Sequence, residues 1–432
     1  MTEYLRTLFQ APDFKQRFVF TLLMFAIYRL GSHIPIPGID TTALEDFFRR
    51  FEGTIFSLYD IFSGGNIGRM TVFALGVMPY ISASIMMQLL TVAIPELQRL
   101  AKEEGDYGRY KINQYTRYLT VFVAFVQSLG ISLWIQNQVS PAGIPVVPNR
   151  GFTFVFITVT TLVAGTMFLV WIGERISEKG IGNGMSLLIF AGIVANFPNT
   201  AVQITEMFRQ GELTPFDIVG TLITIIAVIM GIVYVHEAER RIPIQYPRRQ
   251  VGRQEFTGGS TYLPIKVNPA GVIPIIFAQA ILIIPSSVLA FIEHPMAQLI
   301  HDSFNPTSIL YNIMYVIFIV FFTYFYTAVI INPVDVADNL KRAGGFIPGV
   351  RPGTETQRFL ETLINRLVFV GAVFLCIVAI VPLFISVWLR VPLYFGGTTA
   401  LIVVGVALDT LRQLEAQMTT MKYKGYTVRR RR

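Results

Sequence analysis

Long apolar runs alternate with short polar segments along most of the chain, at 17–36, 70–92, 114–136, 152–172, 183–198, 216–236, 270–292, 307–330, 364–385 and 394–412. A helix needs about 20 such residues to cross the hydrocarbon core. The pattern therefore predicts an all-α polytopic membrane protein with about ten spanning helices. The fifth run is short, with Gly180, Gly182 and Gly184 before it and Pro198 after it. Pro79, Pro274 and Pro285 fall inside runs and are expected to bend or loosen their helices.

Basic residues sort by side. An even number of spans puts both termini together, and only Arg29, Arg49, Arg50, Arg69, Arg150, Arg209 and Arg390 of the 35 lysines and arginines fall on the opposite face. Cytoplasmic loops retain Lys and Arg, so both termini are expected to be cytoplasmic. Five spans followed by five more would place the two halves, 1–200 and 201–432, in opposite orientation, as an inverted repeat requires.

Three connections exceed simple turns. Segments 237–269 and 331–366 are basic, punctuated by Gly and Pro, and expected to dock a partner. On the other face, 37–69 contains FSLYDIFSGGNIG (56–68), an apolar run too short to span. It reads either as an outer loop or as a re-entrant piece whose backbone must be shielded by protein or a water-filled cavity.

Composition agrees with a bilayer environment: 53% hydrophobic, 14% charged, mean hydropathy +0.55. A soluble domain carries about 25% charged residues. Cys376 is the single cysteine, which excludes an intrachain disulfide, and His33, His236, His294 and His301 share no helical ligand spacing. The polar leader with Arg6, Lys15 and Arg17 runs into the first span without a small-residue cleavage site, so the chain is expected to stay in the membrane through its own helices.

Ionisable groups are nearly missing from the spans. Arg29 and Asp409 come closest, both near span ends. A charge at mid-bilayer costs about 2.5–3.5 kcal/mol on insertion scales, so proton or sodium relays keep such groups where they work. GIGNG (180–184) lacks the strand before it and the Lys-Ser/Thr after it that a phosphate loop needs, and no Gly-x-Ser-x-Gly or His-Glu-x-x-His is present. An enzyme is not expected. Intramembrane polarity is limited to groups such as Ser82, Ser84, Gln88, Gln127, Ser128 and Gln279, which usually join helices at about 0.6 kcal/mol each. A weakly joined helix pair is also one that can part.

Five segments resemble the SecY translocon family: ALGVMPYISASIMMQLLT (74–91), EKGIGNGMSLLIFAGI (178–193), NPAGVIPIIFA (268–278), NPVDVADNLKRAGGFIPGVRPG (332–353) and FGGTTALIVVGVALD (395–409). They lie in family order and at family spacing, and the match looks bacterial. The resemblance implies a clamshell of two pseudo-symmetric halves around an hourglass pore, in a bacterial inner membrane, without a cofactor. By motif, the pore ring falls on Ile81, Ile85, Ile189, Ile193, Ile276 and Ile402. The plug corresponds to 56–68, including Phe56, Leu58, Tyr59, Ile61, Phe62, Gly64, Gly65, Ile67 and Gly68, the glycines making it movable. The second, third, seventh and eighth spans look like a lateral gate that releases hydrophobic segments into lipid, with Ser82, Gln88, Gln127 and Gln279 as polar contacts.

The resemblance also implies partners. These are the small membrane subunits SecE and SecG, the SecA motor ATPase, the ribosome, and a secretory or membrane polypeptide as substrate. Docking is expected at Arg351 first, supported by Lys341, Arg342, Arg358, Arg248, Arg249 and Arg253, with salt-sensitive attraction to anionic RNA. The tail Arg429–Arg432 adds charge that suits RNA or anionic lipid. A secondary transporter of a small solute shares the inverted-repeat count but needs a polar midplane site. A non-conducting membrane scaffold is the third class.

Overall fold

The computed structural model describes residues 12–48, 60, 63–246, 249–251, 254–256, 260–290, 308–389 and 396–429. Each of the ten predicted spans carries a helix. In order these are α1 (Pro12–Gly31), α2 (Thr41–Phe48), α3 (Met78–Ala93), α4 (Pro95–Glu103), α5 (Gly105–Ile135), α6 (Phe152–Lys179), α7 (Gly184–Val194), α8 (Phe197–Arg209), α9 (Pro215–Glu237), α10 (Ile273–Ala290), α11 (Ile309–Ile330), α12 (Pro333–Arg342), α13 (Thr354–Leu389) and α14 (Gly397–Arg429). Among the described residues, six helical segments are long and apolar enough to cross a bilayer by length and composition alone, and a seventh is possible as a bent pair.

Two spans differ from the sequence expectation for backbone reasons. Residues 72–77 are turns, with Met70 at φ 41° and Gly76 at φ 56°, and α3 starts only at Met78. Pro79 therefore sits in the first turn, where its missing N–H is harmless, and bends nothing. The bend comes at the other end: Ile94 is extended, and α4 leaves α3 at 105°. Pro198 likewise opens α8 instead of ending a span, so that Gly184–Arg209 forms one 26-residue candidate crossing.

The contacts divide the described residues into two compact units. One comprises residues up to Thr214, with 283–290 and those from Val406 onward; the other comprises Pro215–Leu282 and Thr307–Gly405 as far as they are described. In the first unit, Asp40 caps α2, accepting from the Thr42 and Ala43 amides at 3.0 and 3.2 Å. That docks Leu44 and Phe47 into a core with Ile36, Ile67, Met70, Leu75, Ile135, Val147 and Leu162.

The second unit contains the element that helix counting missed. The basic segment after α9 is a β-ribbon. Strand β1 (Glu239–Gln245) pairs antiparallel with β4 (Ser260–Lys266), from Glu239↔Lys266 to Gln245↔Ser260, and β2 (Arg249–Val251) pairs with β3 (Gln254–Phe256). Alternation places Ile242, Ile244 and Ile265 inward. Ile242 and Ile265 pack with Ala337, Ile347, Leu360, Ile364 and Val368, while Gln245 and Phe346 exchange both backbone hydrogen bonds at 2.9 and 3.0 Å. The two long basic segments thus form one small domain around a shared core. Leu360→Ala, at a fully buried position of that core, should cost about 2–5 kcal/mol locally and be read as faster amide exchange across 239–245 and 260–266.

Candidate pore, plug and docking sites

The six motif isoleucines lie on four helices: Ile81 and Ile85 on α3, Ile189 and Ile193 on α7, Ile276 on α10 and Ile402 on α14. Four belong to the first unit and two to the second. Ile85, Ile189, Ile193 and Ile402 are buried, at 5, 6, 1 and 1% exposure, and Ile81 and Ile276 are half-buried. Spacing by four residues puts each pair of the first unit on one helical face. Met86 and Leu90 of the same α3 are exposed. Ile85, Ile189, Ile193 and Ile402 are therefore turned toward protein, which apolarity alone would not have decided.

Polar gate candidates are placed individually. Ser82 is buried on α3. Gln88 donates to Ser84 Oγ one turn away at 3.4 Å, and Gln279 donates to Thr398 Oγ1 at 3.3 Å, joining α10 to α14. Gln127 is half-buried on α5. In all three glutamines the buried Oε1 has no hydrogen-bond partner among the described residues. An unmet buried acceptor costs about 1–3 kcal/mol, so these side chains gain by pairing with anything polar that reaches them.

Of the plug, Asp60 and the residues from Ser63 onward are described, whereas Phe56, Leu58, Tyr59, Ile61 and Phe62 lie outside the described residues. The described part is a knot of local hydrogen bonds. Asp60 Oδ1 accepts from the amides of Ile67 and Gly68, both at 2.9 Å, and its carbonyl accepts from the Gly65 amide at 2.8 Å. Ser63 Oγ donates to the Asp60 carbonyl at 2.9 Å and accepts from the Asn66 amide at 3.2 Å. Thr71 Oγ1 donates to Asn66 Oδ1 at 3.1 Å. Gly64 and Gly65 both stand at φ 79°, a backbone conformation that favours glycine. Sequence reasoning passed over Asp60 and Asn66, although two polar side chains in an apolar run, flanking Ser-Gly-Gly, are the signal of a side-chain-built turn.

Docking candidates gather on the ribbon domain. Arg351 is exposed between Gly349 (φ 84°) and Gly353 (φ 107°), and its carbonyl accepts from Thr356 Oγ1 at 2.9 Å. Lys341 and Arg342 are exposed in the last turn of α12. Arg358 makes only a 3.4 Å contact to Glu355, both side chains more than half exposed. Such a pair adds little, leaving the guanidinium available. Arg249 is described by its backbone in β2, and Arg248 and Arg253 lie outside the described residues.

The SecY family profile matches residues 71–411. This chain belongs to the SecY family. It is 68% identical to the protein translocase subunit SecY of Aquifex aeolicus (strain VF5), over 99% of this chain and 100% of that protein. Identity to the same-named subunit of Escherichia coli (strain K12) is 42%, over 95% and 93%. The fold is similar to a structure described as "The structure of a protein conducting channel", with TM-score 0.65, 18% identity and coverage of 94% and 92%. It is also similar to Sec61 in the canine ribosome-channel complex, with TM-score 0.62, 16% identity and the same coverage. The SecY-family chain is thus a multi-pass membrane protein.

Burial raises the Asp60 carboxyl above its ordinary pKa, against the hydrogen bonds from Gly68, Ile67 and Ser63 and the charge of Arg69. A raised folded value means the turn is favoured with the proton on and loses stability as pH rises through that value. Asp60→Asn keeps an acceptor oxygen and removes the charge. It should abolish this pH dependence and leave the Ile67 and Gly68 amides at least as protected at neutral pH. Asp60→Ala should weaken the turn by about 1–3 kcal/mol, with hydrogen exchange at those two amides as the readout.

Proposed function

We propose that this chain is the pore subunit of a protein-conducting channel, passing unfolded secretory polypeptides across a bacterial cytoplasmic membrane and releasing hydrophobic segments sideways into lipid. The observation that carries the reading is that the aliphatic side chains at the six motif positions are buried (Ile85, Ile189, Ile193 and Ile402) or half-buried (Ile81 and Ile276), in apolar runs almost free of ionisable groups. An aliphatic constriction disfavours a continuous file of water and ions, as hydrophobic gates do. It also offers no hydrogen bond or charge to distinguish one passing side chain from another. A solute transporter needs the opposite, a polar site that recognises its cargo, and is not favoured.

The remaining roles follow from that reading. The halves 1–200 and 201–432 are the two leaves of the clamshell, related as an inverted repeat. Both termini are cytoplasmic, because all but seven of the 35 basic residues then face the cytoplasm. Segment 56–68 is the plug, and Ser82, Gln88, Gln127 and Gln279 are polar contacts of the lateral gate. The unmet glutamine oxygens support the last role, since a gate must be able to exchange partners.

The ribbon domain with Arg351, Lys341, Arg342 and Arg358 docks the ribosome or the SecA motor. Ribosome binding is supported by the canine Sec61 neighbour and by exposed arginines suited to phosphate. SecE and SecG complete the complex. The chain itself is not an enzyme; energy comes from the docked partner.

The test is a translocating chain arrested in transit. With Cys376→Ser as background, single cysteines at Ile85 and Ile402 should crosslink to a cysteine in the arrested segment, whereas one at lipid-exposed Ile223 should not. Crosslinking at Ile223 without any at Ile85 or Ile402 would show the conduit is elsewhere.

A further inference from the structure

Three chain segments of the first unit meet at one phenol. Tyr28, on α1, is 3% exposed and stacks on Phe73 with ring centres 6.1 Å apart. Its hydroxyl donates to the Ser63 carbonyl at 3.2 Å and accepts from Asn66 Nδ2 at 3.4 Å, while Asn66 Nδ2 also donates to the Ser63 carbonyl. The turn that this hydroxyl grips lies against α7 at Gly192. A Cβ on Gly64 would stand 2.7 Å from the Tyr28 hydroxyl and 2.9 Å from Gly192 Cα, and one on Gly192 would stand 3.0 Å from the hydroxyl and 3.3 Å from Gly64 Cα. Both glycines are therefore needed for backbone to meet backbone here. Gly192 directly precedes Ile193 and follows Ile189 by three residues, on the helix that carries both.

We propose that Tyr28 and Gly192 form the seat of the plug, with Tyr28 the positioning residue whose hydroxyl sets how completely the resting channel excludes ions. The proposal rests on the reading of 56–68 as a plug and deepens it by naming what the plug is held against. Two features distinguish a seat from ordinary loop packing. The grip is a pair of single hydrogen bonds to one side chain, each a small contribution that can be made and broken. The contact behind it, Gly64 on Gly192, is backbone against backbone, where neither residue has a side chain to interlock. Seating thereby joins the turn to the helix bearing two of the ring residues, so that closure of the ring and placement of the plug share one surface.

Ion leak through resting channels in sealed proteoliposomes tests this, with full-length protein and its partner subunits. Tyr28→Phe keeps the ring and its stacking but removes the hydroxyl. Loss of one neutral hydrogen bond corresponds to about a fivefold change in a seating equilibrium, and leak should rise by about that factor. Gly192→Ala pushes on Gly64 and should raise leak at least as far. In a protein lacking 56–68 the leak should already be high, and neither substitution should add to it, since Ser63, Gly64 and Asn66 are gone. If Tyr28→Phe and Gly192→Ala stay as tight as the parent while the deletion leaks, the seat is wrong and the plug stands. Equal increases in the parent and deletion backgrounds mean general loosening and also overturn the seat. A deletion that does not leak overturns the plug reading and the seat together.

Discussion

Every part of this fold answers to one constraint: within a bilayer no water is at hand to satisfy a backbone N–H or C=O, so irregular chain must satisfy itself. The ten helices do so by construction. The difficult stretch is the one from Gly64 to Val77, where the chain turns repeatedly before α3 begins. There Asp60, Ser63, Asn66 and Thr71 serve as substitutes for missing helical partners, and Tyr28 ties the result to a neighbouring helix. Backbone bonds from Ile36 to Met70 and from Val72 to Ile34 anchor the end of the same stretch. Apolar composition and side-chain-built turns are thus two consequences of one solvent.

Much of this was legible in the sequence, and the failures have physical causes. The spans were visible because apolar runs of this length have few other uses. Their ends were less so. Residues 70–77 are as apolar as α3 itself, and only the glycine at 76 and the proline at 79, read as turn and first helical turn, mark where the helix begins. The β-ribbon was read as a loop because its many charges hid a period-two alternation of Ile242 and Ile244 against Leu263 and Ile265. Pro243 in β1 and Pro264 in β4, paired with Tyr262 and Arg241, strengthened that impression, although proline is tolerated at sheet edges. The ring isoleucines could not be told from any other isoleucine by pattern; the family motifs singled them out, and four of them, Ile85, Ile189, Ile193 and Ile402, are buried, unlike Met86 and Leu90 of the same α3. The contact of Tyr28 with Ser63 spans 35 positions in the chain, and nothing local announces it.

Energetically the channel is built from small terms. Single hydrogen bonds to Tyr28 of α1 hold the turn, and glutamines whose Oε1 is unmet among the described residues lie on helices of the proposed gate. Neither contributes more than a few kcal/mol, which suits the proposed opening by a docked partner. By contrast the ribbon domain has a continuous aliphatic core, Ile242 to Val368, which suits the docking role proposed for it.

The central claim is that aliphatic side chains at the constriction hold back ions. Its most direct test is the single-channel conductance of the resting complex with Ile85, Ile193 and Ile402 each replaced by asparagine, a residue of similar reach that binds water. The account predicts a stepwise rise in ion conductance from single to combined substitutions. Conductance unchanged from the parent, with the proteins folded and inserted, would contradict it.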